Sequence, residues 1–141
     1  MERRAIIIAI AVVALLAAVF SAIFYWGLQS YYPNPIAHET DRWAVIKDVN
    51  EDSLAVEPSS NMTWDQLVQL NQNGTAKWIG GTVQAYGGGW GFRFAPENIT
   101  IADITAEGLQ TTIRDVSNNF DYWVNTQAYV SATVIETQAP P

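Results

Sequence analysis

Lys77-Trp-Ile-Gly-Gly-Thr-Val-Gln-Ala-Tyr86, Gly87-Gly-Gly89 and Trp90-Gly-Phe-Arg-Phe-Ala95 succeed one another without interruption. The first and third pieces alternate large and small or polar residues with a period of two, the signature of half-buried strands. The glycines between them supply left-handed backbone for a hairpin. In the third piece Trp90, Phe92 and Phe94 share one face, suited to filling a core, and Arg93 takes the other. Glycines beside aromatics also suit a surface that seats a partner's side chain, so Tyr86, Trp90 and Arg93 are candidate partner contacts.

Upstream, Trp43 to Asp48 alternates and reads as a strand, Asn50 to Ser53 as a turn, and Leu54 to Glu57 as a short returning strand. Thr63 followed by Gln66 has capping-box spacing, with Met62 and Leu67 placed as a hydrophobic staple. Trp64, Leu67 and Val68 share a helical face and Asn73-Gly74 supplies a stop, which predicts a helix over 64–72. Downstream, Asn98 to Ile104 and Ala128 to Thr137 read as strands. Residues 109–118 fit either a helix face through Leu109, Thr112, Ile113 and Val116 or a β-branched strand. The class is α+β, a small, mainly antiparallel β domain over 42–137 with one or two short helices and a loose tail at 138–141.

The N-terminal part has a different composition. No charged residue occurs between Ala5 and Leu28, and Ala, Ile, Val and Leu fill the run on every side. Such a run is long enough, as one helix, to cross the roughly 30 Å hydrocarbon core of a bilayer. Phe24, Tyr25 and Trp26 close it as an interfacial belt would, and Arg3 and Arg4 precede it. The expectation is a transmembrane anchor at 5–28 after a cytoplasmic start at 1–4, a stalk at 29–41, and the domain outside the cell membrane. The run is too long, and lacks the small-residue cleavage site, for a cleaved signal peptide.

The net charge of -7, from 7 basic and 14 acidic residues, argues against a nucleic-acid partner. Cys is absent, which excludes disulfides, thiolate chemistry and Cys-ligated zinc. The single His, His38, lies outside the domain pattern with no nucleophile beside it, so no catalytic constellation and no cofactor are expected. Asp48-x-Asn50-x-Asp52 copies the start of a calcium loop, but Ser53 and Ser59 stand where Gly and Glu belong. These three residues are the candidate metal ligands; the competing reading is an acidic turn. Asp103 and Glu107 read as surface acids. Sequons begin at Asn61, Asn73 and Asn98, little above chance.

Gly81, Trp90, Pro96, Ala102, Asp103 and Glu107 fall on a G-x-[IV] strand, a W-x-[FW]-x-x-x-P turn and an A-D-x-x-x-E segment. Over about residues 42–124 the chain resembles a family of small secreted prokaryotic domains, also found at the N-terminus of larger eukaryotic proteins. The family usually has Cys after the acidic residue, where this chain has Gly108-Leu109. The resemblance implies the α+β fold and export, without a mechanism. Trp90 to Ile101 is also similar to the W-x-F-x-P strand in the cupredoxin domain of membrane-anchored oxidase subunit II proteins. The Cys and His ligands of that copper centre are absent, which implies a docking or scaffold subunit.

The functional expectation is a membrane-anchored, extracytoplasmic interaction domain, a non-catalytic accessory subunit whose partners are the lipid bilayer and other subunits of a membrane complex. The alternatives are a pilin-like filament subunit with the apolar helix as filament core, and an external ligand- or cation-binding domain.

Overall fold

The structure, a computed structural model, describes residues 8–19, 36–103 and 109–141. The chain divides into two units, residues 1–33 and 34–141. In the first, residues 8–19 form a helix, α1, whose apolar side chains are exposed. At about 1.5 Å per residue the described part of α1 rises roughly 18 Å, less than the thickness of a hydrocarbon core. Among the described residues no helix is long and apolar enough to cross a membrane. This corrects the expected transmembrane helix, and with it the cell-membrane location. An uninterrupted apolar composition permits a long helix but does not fix its length, and the flanking parts of 5–28 lie outside the described residues.

The second unit is α+β, built on one seven-stranded sheet that curls toward a barrel. Its elements are β1 (Trp43–Asp48), β2 (Ser53–Val56), α2 (Asn61–Asn73), β3 (Lys77–Ala85), β4 (Phe92–Phe94), a 3-10 turn (Pro96–Asn98), β5 (Thr100–Ala102), β6 (Leu109–Thr111), α3 (Ile113–Asn118), α4 (Phe120–Trp123) and β7 (Gln127–Gln138). The main path runs β2-β1-β7-β3-β4, with β5 added to β3 and β6 to β7. All pairings are antiparallel except β6 with β7, which is parallel.

Strand β7 is the spine. One edge carries β3 from Gln127 to Ala132. The other carries β6 at Ala128 to Val130, then β1 from Ala132 to Gln138. The change of neighbour falls at Asp48, the last residue of β1. Its buried carboxylate accepts hydrogen bonds from the backbone amides of Asn50 (2.9 Å) and Asp52 (3.1 Å), which close the β1–β2 turn. It also accepts one from Ile113 (2.9 Å), the first residue of α3. Satisfying amides that would otherwise be orphaned at a helix start is what holds α3 against the end of β1.

Residues 109–118 therefore hold both of the expected structures. Leu109 to Thr111 is strand, and Thr112 then caps α3 by accepting from the Asp115 amide (3.2 Å). Ile113 and Val116 of that helix are fully buried. Helix α2 starts earlier than the capping-box spacing predicts. Ser60, not Thr63, is the N-cap and accepts from the Thr63 amide (3.3 Å). Met62 is thereby left inside the first turn and exposed, so the staple does not form. The stop is where the Asn73-Gly74 pair places it: Gly74 is left-handed (φ 68°) and its amide bonds the Leu70 carbonyl.

The core between α2 and the inner sheet face holds Leu67, Ile79, Val83, Phe92, Phe94 and Val130. Phe92 and Phe94 meet edge to face, 5.8 Å between ring centres. Gly80 lets β3 and β7 close up, because a Cβ there would fall on the carbonyl oxygen of Ala128. Gly80→Ala must push the two central strands apart, and we expect a loss of about 3 kcal/mol or more in chemical denaturation. Alanine at Gly74, where a Cβ meets nothing, suffers only its positive φ and should cost about 1 kcal/mol.

Candidate functional site

The two ends of the main path, β2 and β4, approach each other but share no ladder. The seam between them is closed by side chains and by the chain segment before β1. The Trp90 indole N–H donates to the Ser53 carbonyl of β2 (2.7 Å), while the Trp90 carbonyl accepts from the Ser117 hydroxyl (2.8 Å). The Ser59 amide donates to the Pro96 carbonyl (2.9 Å). Trp90 is thus packed against the core and tied at both its indole and its backbone.

Residues 36–42 form a strap across this region. Residues 36–41 are the described end of the segment expected to be a stalk, and they lie bonded against the domain. Glu57, at the end of β2, is buried. Its carboxylate accepts from the Glu39 amide (2.7 Å), the Thr40 amide (3.2 Å) and the Thr40 hydroxyl (3.0 Å). Arg42 donates to Asn61 Oδ1 (2.8 Å) and to the Pro58 carbonyl (3.0 Å), and its guanidinium lies over the Trp64 ring (5.4 Å). His38 stacks on Trp43 at 3.6 Å between ring centres. Glu39 pairs with Arg93 (3.1 Å), which also donates to Gln84 (2.8 Å) and covers the Tyr86 ring (5.2 Å).

The strap chain joins three stacked pairs into a row: Trp64 with Arg42, Trp43 with His38, and Tyr86 with Arg93, which Glu39 holds. Arg42 and Arg93 each lay a guanidinium on a ring face, an arrangement favoured by the ring quadrupole, and the His38 imidazole lies flat on Trp43. The Trp43 indole N–H, though buried, has no hydrogen-bond partner among the described residues. Of the expected partner contacts, Tyr86 and Arg93 stand together in this row, half-buried, whereas Trp90 is committed to closing the seam. Arg93 faces away from the core as its strand alternation requires. Burial raises the Tyr86 phenol above its ordinary value; the carboxylates of Glu57 and Glu39 push the same way, and Arg93 opposes them.

The candidate metal ligands are arranged otherwise. Both Asp48 oxygens face backbone amides. Asp52 pairs with Arg114 (2.9 Å) through Oδ1, and its buried Oδ2 has no partner among the described residues. No group of three or more His, Cys, Asp or Glu among the described residues is set to hold a metal ion. Asp103 pairs with Lys77, and Glu107 lies outside the described residues. Asn98, in the third sequon, is turned inward, accepting from the Thr82 amide (3.0 Å) and donating to its hydroxyl (2.6 Å).

Sequence reasoning missed Glu57, Arg42 and Trp64 as members of the site. Glu57-Pro58 directly after a short apolar strand was the available signal: a carboxylate at a strand end, next to a residue with no amide to donate, is free to accept from another segment. No family model, no curated protein and no solved structure matches the chain.

This geometry has measurable consequences for stability. Glu57→Ala removes the acceptor of three bonds and should cost about 3 kcal/mol in denaturant unfolding. Limited proteolysis should then cut within 36–42 before the sheet unfolds. For Tyr86 the neutral phenol is favoured in the folded state. Its contribution to stability is therefore complete below the unfolded pKa of about 10 and is lost as pH rises through the higher folded value. Ultraviolet titration should show the Tyr86 phenol ionising above its ordinary value, a step that Tyr86→Phe should remove.

Proposed function

We propose that the 36–141 domain is a non-catalytic docking module, an accessory subunit that holds a partner protein against its strap face. The observation that carries this reading is the row from Trp64 to Tyr86. Tryptophan, tyrosine and arginine supply most of the energy at protein interfaces, because they offer large rigid faces with a polar edge. Here they are pre-stacked and held by buried carboxylate bonds, so little side-chain entropy remains to be lost when a partner docks. The exposed strap residues His38, Glu39 and Asp41 supply a polar rim around them.

The test is co-purification of the full chain with a stoichiometric partner. His38→Ala combined with Asp41→Lys alters only exposed strap residues. It should weaken capture about tenfold or more and leave the melting temperature within about 3 °C. Undiminished capture by this variant refutes the reading.

A further inference from the structure

Away from the strap, the C-terminal half of α2 faces β3 and β5 across an open groove of about 310 Å³. Gln66, Gln69 and Asn73 line its helical wall. They stand three and four residues apart, so they share one helix face and span about 10 Å along the axis. The side-chain amides of Gln66 and Gln69 are exposed and make no hydrogen bond among the described residues. Asn73 Oδ1 accepts from the Thr75 amide (3.0 Å), which turns its carbonyl aside. The opposite wall is the Lys77–Asp103 ion pair, and Leu70, Ile101 and Ala102 form the apolar floor.

We infer that this groove binds a neutral polyhydroxyl ligand, the size of one or two sugar rings. The Gln66 and Gln69 amides each present a donor and an acceptor together, the complement of a hydroxyl, which also gives and receives. Among the described residues the charges lining the groove are Lys77 and Asp103, which pair with each other, so a ligand of either sign meets its opposite charge already partnered. A neutral hydroxyl can bond the outer lone pairs and protons of that pair while it stays intact. The apolar floor suits the C–H face of a ring.

The test is nuclear magnetic resonance titration of the full chain with glucose, N-acetylglucosamine, cellobiose and maltose. Saturable shifts of the Gln66 and Gln69 side-chain amide signals with at least one sugar are expected, half-maximal at about 1–10 mM, as suits an open polar groove. Gln66→Ala with Gln69→Ala changes only exposed positions and should weaken that binding tenfold or more. The proposal is overturned if no sugar gives saturable shifts, or if the double variant binds as well as the parent. It is likewise overturned if the neutral dipeptide N-acetyl-glycylglycine amide, and no sugar, moves these signals. Because none of these residues belongs to the strap, failure here leaves the docking reading untouched, and the reverse holds too.

Discussion

The carboxylate of Asp48 sits at the one place where the longest strand changes neighbours, and the rest of the domain is arranged around that junction. Strand β7 can carry β1 and β6 in succession along one edge only if the end of β1 and the start of α3, the helix after β6, are fixed relative to each other. A single buried side chain accepting three backbone amides does this, closing a tight turn and starting a helix at once. Its charge is compensated by aligned amide dipoles, the kind of solvation that lets a carboxylate be buried. The acidic turn that resembles a cation loop is thus solvated by backbone from within.

Glu57 repeats the device on the other side of the hairpin. It too is a buried carboxylate at a strand end, and it too accepts from a segment remote in sequence. Between them the two acids account for both ends of the β1–β2 hairpin: one holds α3, the other holds the strap. A sheet that stops short of closing needs its edges covered. Here the strap, Trp90 and the Ser59–Pro96 backbone bond provide the cover.

The features legible in the residues are those that depend on near neighbours. Alternation places β1, the β3–β4 pair and β7, and Gly74 places the end of α2, because each signal lies within a few residues of its effect. The hidden features are those whose two halves are far apart. Asp48 and Ile113 are separated by 65 positions and Glu57 from Glu39 by 18. No local pattern announces that an aspartate in a turn will solvate a helix start across the sheet. The apolar run at 5–28 differs: its composition suggests a membrane-spanning length, whereas among the described residues no helix is long and apolar enough to cross a membrane. At the docking row the alternation puts Trp90 in the core and Arg93 outside, yet gives no hint that a segment ahead of the first strand supplies Arg42 and His38 to complete it.

The strap also sets how the domain would respond to mechanical load. A pull on the chain ahead of residue 36 reaches β1 only by way of residues bonded to Glu57 and then Arg42, whose guanidinium is clamped to the segment entering α2. Those bonds lie outside the ladders, so they would rupture one after another while the strands stayed paired. The domain carries its own sacrificial fastening, and stretching would unzip the strap and expose the β2–β4 seam before tension reached the sheet.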